Sequence, residues 1–428
     1  MPDFLFLLES RLTPEQLRVV ESVQDAAREH GLNLYLVGGA LRDLLYGYPI
    51  RDLDFAVEGH ALKVVRSVAK RDAQVLEVDE ELRSAELLFP GDITAEIGSC
   101  RSERYVKPGR PPEIEFRDIY EDLRRRDFSM NAIGLSLNPA SRGLLLDPNN
   151  GLGDIERREL RLLHTRSFLD DPARLLRAVR FRVRLRFLLE AKTETLFRSA
   201  MENHLVEKAS PERLLKELKE LGREDNPVDI LKALDREGLA TVFHPRLTGS
   251  RLNFQGLARA VKTARALENS GIRVRFYGPF VYFLLEKVPS RARSDLARRL
   301  EMRRQDYEPW MGLEDRTKQL VRALAGKQGN THSKAYQLLS QQPGELLLFV
   351  LLKFPQKKIQ DRVKNYLHRH RRTREHLPEK QLQALGVAPD SPRYQKILDA
   401  LFYALLDGKM KSQKHQAKHL KKLVAEVK

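Results

Sequence analysis

The sequence predicts an α/β domain over roughly the first 150 residues and an all-α remainder. Two patterns and one size argument predict this. Short apolar runs bounded by turn residues alternate with helical segments up to Leu146. From about Pro172 onward apolar residues recur at helical spacing and strand-like runs nearly vanish. At 428 residues with 42% apolar content, the chain can fill two to four cores.

The elements follow in order. A first helix starts at Thr13-Pro14-Glu15-Gln16, where Thr13 caps, Pro14 suits the first turn and Gln16 completes a capping box. Gly31 stops it. Leu34-Tyr35-Leu36-Val37 reads as a short buried strand ended by Gly38-Gly39, with a helix after it through Leu41, Leu44 and Leu45. Arg51–Val57 alternates and reads as a second strand. Further strand-like pieces lie near Gln74–Val78, Ala85–Phe89, Ile93–Ile97, Glu113–Phe116 and Gly143–Leu146. In the helical part, breaks fall near Asn226-Pro227, His244-Pro245, Gly271, Gly278-Pro279, Gln342-Pro343-Gly344 and Pro389–Pro392, with no fixed-period repeat. Lys409–Lys428 carries seven lysines and one glutamate, which suits either a solvated tail or a phosphate-binding arm.

Lysine and arginine outnumber aspartate and glutamate by 76 to 59, a formal charge of +17. Such an excess suits a polyanionic partner, nucleic acid or a membrane surface, as well as plain solubility. Cys100 is the only cysteine, which excludes intramolecular disulfides and cysteine-cluster metal sites. The run Phe4–Leu8 is short, has no positive residue before it and runs into Glu9, so it does not read as a signal peptide. No stretch approaches the ~20 apolar residues that cross a membrane. A cytoplasmic setting follows, with an organelle as the other possibility.

Asp52-Leu53-Asp54 carries the chemistry. On a strand, residues i and i+2 point to one face, roughly 6–7 Å apart along the chain. Two carboxylates so placed can share divalent ions ~3.5–4 Å apart, and Mg2+ prefers carboxylate oxygens plus substrate phosphates. A lone Asp-x-Asp is common at strand ends, so its surroundings decide. Gly38-Gly39, between a strand and a helix, lets backbone N–H groups approach a phosphate at a helix N-terminus; alone it is a tight turn. Arg42, one turn into that helix, can add a charged donor to a triphosphate, or Asp43 can orient Arg42 instead.

Leu36-Val37-Gly38-Gly39-Ala40-Leu41-Arg42-Asp43-Leu44-Leu45-Tyr46-Gly47 followed by Arg51-Asp52-Leu53-Asp54 resembles the signature of the class II tRNA nucleotidyltransferase and bacterial poly(A) polymerase family. The resemblance covers essentially the whole chain, strongly to about residue 220 and loosely beyond. It implies an α/β nucleotidyltransferase head (1–157) followed by all-α neck (158–225), body (226–355) and basic, RNA-binding tail (356–428) domains.

Later segments extend the match. Arg125–Ala132 is similar to the family's Arg-Arg-Asp-Phe-Thr-x-Asn-Ala element; Arg126 can contact phosphate, while Asp127 and Asn131 can fix ribose or loop geometry. Asp147–Asp154 resembles the head–neck linker. Asp170–Phe181 resembles the Glu-Asp-x-x-Arg element, with Asp170 where the family usually has Glu. Asp171 and Arg174, three apart, read as neighbours on one helix face. The resemblance implies that they pair with the base edge in place of a template; without it, a surface ion pair is the simpler account. Arg177, Arg180, Arg182, Arg184 and Arg186 interleave with Leu175, Val179, Phe181, Val183 and Leu185; the apolar set is expected in the core and the arginines toward nucleotide or RNA. Ser210–Leu218 is similar to the neck element, with Ser210-Pro211 as a helix start and Arg213 supporting the nucleotide pocket. Glu96 matches a carboxylate position of the family, for metal binding or activation of the primer hydroxyl, although Glu96–Arg101 departs from the usual wording; a structural role is the alternative.

The implied reaction is attack by an RNA 3′-hydroxyl on the α-phosphate of ATP or CTP, with Mg2+ as cofactor and Asp52 and Asp54 as metal ligands. The implied substrate is tRNA, given CCA or part of it. Ser102–Pro112, Leu163–Phe168 and Leu382–Gly408 resemble the A-adding branch, which adds only the terminal adenosine, often beside a separate CC-adding enzyme. The loop 102–112 is a candidate for the element governing choice between C and A. A poly(A) polymerase would use the same head. A catalytically silent RNA-binding protein fits the basic helical half but not the intact Asp52, Asp54, Asp171 and Arg174. A metal site at His368-Arg369-His370 is opposed by the cations Arg371, Arg372 and Arg374.

Overall fold

A computed structural model describes residues 4–375, 377–409 and 413–426. The chain divides into two compact units, Met1–Glu217 and Leu218–Lys428.

The first unit opens with helices α1 (Phe4–Arg11) and α2 (Pro14–Glu29). The capping box forms as the sequence dictates: Gln16 N–H donates to Thr13 Oγ1 at 3.2 Å and Thr13 N–H to Gln16 Oε1 at 3.0 Å. Val19, Val20, Val23, Ala26 and Ala27 form the buried stripe of α2. Gly31, at φ +62°, turns the chain out of it. Then follow β1 (Asn33–Val37), α3 (Gly39–Tyr46), β2 (Leu53–Glu58), α4 (Ala61–Arg71), β3 (Gln74–Asp79), β4 (Ser84–Phe89) and β5 (Ile93–Ser99). After these come β6 (Arg101–Arg104), β7 (Glu113–Phe116), α5 (Ile119–Arg124), β8 (Gly134–Ser136) and β9 (Leu145–Leu146).

Seven strands make one sheet in the order β3-β4-β5-β2-β1-β8-β9, while β6 and β7 form a separate hairpin. Within the seven-stranded sheet only the β2–β5 pair is parallel; the crossover places α4 against β5, β4 and β2. Helices α2 and α4 are packed together and bury Val23, Val64 and Val68 completely.

The chain continues through α6 (Gly151–Arg157), β10 (Glu159–Leu160), α7 (Ser167–Asp170), α8 (Arg174–Leu185), β11 (Leu188–Leu189), α9 (Ala191–Glu202) and α10 (Pro211–Arg223). Asp147 caps α6, accepting from the Gly151 and Leu152 N–H groups at 2.7 and 2.9 Å. Strands β10 and β11 pair in parallel, a small ladder inside the helical part.

The second unit is helical throughout its described residues. One core holds Phe280, Phe349 and Trp310, with Tyr282 and Phe349 edge-to-face at 4.5 Å. A C-terminal cluster joins Leu382, Ile397, Leu398 and Leu401 to Leu420 of the helix Gln413–Glu426. In the lysine-rich stretch Lys409–Lys428, residues 410–412 and 427–428 lie outside the described residues. No helix among the described residues is long and apolar enough to cross a membrane.

Three expectations are corrected. The strand expected over Arg51–Val57 begins at Leu53. Gly278-Pro279 is no break: it occupies the first turn of the helix Tyr277–Leu284, where a missing proline N–H costs nothing. Val183 is only half-buried. His368-Arg369-His370 ends a π-helical turn, with buried His370 Nε2 at 3.2 Å from His332 Nδ1. No group of three or more His, Cys, Asp or Glu side chains is arranged to hold a metal there or elsewhere among the described residues.

Candidate active site

Sheet register brings the acidic residues together. β1 and β2 pair with Val37 opposite Asp54, and β2 and β5 pair with Asp54 opposite Glu96. Neighbouring strands lie about 4.8 Å apart, and residues in register on a parallel pair project from the same face. Asp54 and Glu96 therefore stand side by side. One step of the same face earlier, Thr94 Oγ1 donates to Asp52 Oδ1. Asp52 precedes the strand proper, and the Thr94 hydroxyl holds its carboxylate in line with Asp54.

Three carboxylates in one place repel one another. Burial, then Glu96, then Asp52 push the Asp54 carboxyl above its ordinary range, with Arg126 and Lys216 opposing. Glu96 goes the other way: Lys216, at 3.9 Å from its Oε2, holds it below the ordinary range, with Arg101, Arg126 and Arg125 acting in the same direction. A divalent cation would relieve this repulsion, and carboxylate oxygens are the donors a hard cation takes. Asp52 and Asp54 could offer oxygens to such a cation.

Gly38 closes the site from above. Its backbone, at φ +69° and ψ −134°, lies where residues with a side chain rarely go. A Cβ there would sit 3.0 Å from Asp54 Oδ2 and 3.1 Å from Arg126 Nη1. The glycine thus sits against the carboxylate and the guanidinium, at the N-terminus of α3, which begins at Gly39. Arg126 is aimed by Asp122, whose Oδ2 accepts from Arg126 Nη2 at 2.8 Å while Oδ1 accepts from Arg125 Nη2 at 2.6 Å. Burial raises the Asp122 carboxyl, but the two guanidinium groups outweigh it and hold it near about 2.

Arg42 is turned inward. Its Nε and Nη2 donate to Asp43 Oδ1 at 2.9 and 2.7 Å, and its Nη1 donates to Asn131 Oδ1 at 2.8 Å. Asp43 thus orients Arg42, and Arg184 Nη2 donates to the other Asp43 oxygen at 2.7 Å. Asn131 Nδ2 donates to Asp127 Oδ1 at 3.0 Å, and Arg177 Nη1 to Asp127 Oδ2 at 2.8 Å. Arg177 Nε continues to Glu217 Oε1 at 2.7 Å, and Arg180 Nη2 reaches Glu217 Oε2 at 3.2 Å. This chain of ions joins α3, the Arg125–Asn131 segment, α8 and α10.

Asp171 and Arg174 do not share a helix face. Asp171 ends α7 with φ −128° and ψ +91°, and α8 starts at Arg174. Asp171 Oδ1 accepts from Ala173 N–H at 3.2 Å, and its Oδ2 lies 3.8 Å from Arg174 Nε and 4.0 Å from Arg213 Nε. Arg174 donates to Ser167 Oγ at 2.6 Å and to the Arg125 carbonyl at 3.2 Å, while its buried Nε has no hydrogen-bond partner among the described residues. The pair is nearly fully buried and is tied to the segment that carries Arg126, which a surface ion pair would not be. The loop 102–112 reaches the same place: Gly109 N–H donates to the Asp170 carbonyl at 3.3 Å.

The residues described above fall into three adjoining groups: the carboxylates, the glycine turn with Arg126, and the Asp171–Arg174 pair with its ionic support; Arg186, exposed at the end of α8, is in none of them. The contributions of Thr94, Asp122, Ser167, Lys216 and Glu217 were not apparent from sequence. Only Asp122 left a signal, its i+3 and i+4 spacing to Arg125 and Arg126.

Residues 34–161 match the poly(A) polymerase head domain. An A-adding tRNA nucleotidyltransferase of Geobacter sulfurreducens is 30% identical over 93% of this chain and 46% of its own length. Another, of Halalkalibacterium halodurans, is 40% identical over 54% of this chain and 54% of its own. The chain thus spans about half the length of these curated relatives. The solved structure of a CCA-adding enzyme in an apo form is 25% identical, covers 98% of this chain and 99% of its own, and superposes with a TM-score of 0.55.

Proposed function

We propose that this chain, which shares the head domain and fold of the tRNA nucleotidyltransferase and poly(A) polymerase family, adds the terminal adenosine to tRNA without a nucleic-acid template, in the cytoplasm. The observation that carries the reading is the register of β2 and β5, which lines up Asp52 with Thr94 and Asp54 with Glu96 beneath the Gly38 turn. The adenosine preference is supported by the A-adding names of the two relatives.

In this reaction the 3′-oxygen of RNA forms a bond to the α-phosphorus of ATP, and the bond from that phosphorus to the bridging oxygen breaks as pyrophosphate leaves. Asp52 and Asp54 would hold magnesium, which when bound supplies charge neutralisation and a more acidic hydroxyl. Glu96 would accept the hydroxyl proton. Gly38, Gly39 and Arg126 face the phosphates, with backbone N–H groups and a guanidinium as donors. Arg42, Asp127, Asn131, Arg177 and Arg180 act through the ionic chain that fixes these groups and the start of α8. Asp171 and Arg174 offer an acceptor and the unused Nε donor to a base edge, with Arg213 beside them. Along the chain, the head, neck, body and tail divide near residues 157, 225 and 355, with CTP a poorer substrate and CC ends supplied by a separate enzyme.

The test is Asp54→Ala, with folding checked by circular dichroism. Nucleotide addition to tRNA is expected to vanish in a folded protein; retained turnover would remove Asp54 from the mechanism. Addition of long adenosine tracts to unstructured RNA by the unaltered chain would identify a poly(A) polymerase instead.

A further inference from the structure

Helix α10 touches two groups of the site from one face, the carboxylates and the Asp171–Arg174 pair with its ionic support. Arg213, Lys216 and Glu217 stand at i, i+3 and i+4, adjacent on a helix surface. Arg213 lies 4.0 Å from Asp171, Lys216 lies 3.9 Å from Glu96, and Glu217 holds Arg177 and Arg180. Glu217 is almost wholly buried, so its two arginines fix the rotation of the helix, and that rotation fixes where Lys216 emerges. Lys216 is the only one of the three that reaches the strand carboxylates.

We propose that Lys216 is a positioning residue for nucleotidyl transfer: from α10 it holds Glu96 in place beside Asp54, and so links the base-reading pair to the reacting groups. The proposal rests on the nucleotidyl-transfer reading above and adds a residue to it. Both side chains are about half exposed, 56% for Lys216 and 51% for Glu96, and exposed ion pairs contribute almost nothing to folding. A purely structural role would therefore leave little to lose. A role in orienting Glu96 would appear in turnover, where a small misplacement of a reacting group is costly.

The experiment uses the full chain, tRNA ending in CC, and ATP. Lys216→Ala should lower kcat roughly tenfold, leave the KM for ATP and for tRNA within about twofold, and leave the melting temperature unchanged. Lys216→Arg should restore most of kcat, since a guanidinium also reaches the carboxylate. Lys216→Ala added to Glu96→Gln should cost nothing beyond Glu96→Gln alone. An unchanged kcat, a change confined to KM, or additive losses in the double variant would each overturn the proposal while leaving the Asp54→Ala result intact. Absence of turnover in the unaltered chain would overturn both.

Discussion

Gly38→Ala is the sharpest single perturbation of the site. The glycine sits at φ +69°, ψ −134°, and an added Cβ meets Asp54 Oδ2 at 3.0 Å and Arg126 Nη1 at 3.1 Å. Two costs follow. A side chain in this backbone region costs about 1–3 kcal/mol, and at about 2–4 °C per kcal/mol for a unit of this size the melting temperature should fall by roughly 2–12 °C. Relief of the contact must also move the carboxylate or the guanidinium by a few tenths of an ångström, and displacement of reacting groups on that scale costs roughly 10–100-fold in kcat. Gly31→Ala separates the two, because Gly31 also has positive φ, +62°, but nothing lies within 4 Å of its would-be Cβ. Adenosine addition would be followed on tRNA ending in CC, at a temperature well below both midpoints. Gly38→Ala should lose kcat far beyond what Gly31→Ala loses, at similar destabilisation. Equal kcat values in the two variants would refute the claim that Gly38 is glycine because Asp54 and Arg126 need its space.

Other outcomes follow from the same geometry. Asp54 is held above the usual carboxylate range, so a cation must displace a proton there; Mn2+ affinity measured by titration should strengthen as pH rises through neutrality, and a flat profile would contradict the shared-carboxylate picture. Asp122 ionises near about 2 in the fold against about 3.9 unfolded, so its stabilisation is complete above pH ~4 and is lost as pH falls through the folded value; Asp122→Asn should flatten the acid limb of a denaturation curve, and an unchanged limb would count against it. Glu217→Gln removes the buried carboxylate that Arg177 and Arg180 share, while Arg177 keeps Asp127, and should cost about 3–5 kcal/mol in a urea titration; an unchanged midpoint would show the shared carboxylate to be dispensable. Arg174→Lys keeps the charge but removes the fork held by Ser167 and the Arg125 carbonyl; the ATP-over-CTP preference should fall about tenfold or more, and unchanged preference would remove Arg174 from base reading.

The head was legible where local chemistry decides structure. Thr13 and Gln16 announce a helix start without tertiary help, and Gly38-Gly39 announces a turn. The lining up of Asp54 with Glu96 was not legible, because it depends on a parallel pairing across an intervening helix, and no local pattern encodes register. Asp171 and Arg174 were correctly paired for the wrong reason: spacing suggested one helix face, whereas Pro172 separates two helices and the pair meets across the break. Strands β6 and β8 went unseen because Arg101–Arg104 is charged and Gly134–Ser136 is three residues long. Lys216 and Glu217 looked like the solvated face of an amphipathic helix. Their partners lie 120 and about 40 positions earlier in the chain, a relation that only the folded unit reveals.

The central claim is nucleotide addition to a tRNA 3′ end directed by protein side chains. It is tested most directly with three tRNAs ending before CCA, after C, and after CC, each given ATP or CTP separately with Mg2+. The A-adding reading, which rests on the names of the two relatives, predicts a single adenosine, from ATP, on the CC end. Failure to extend any of the three ends with either nucleotide, by a folded protein, would contradict it.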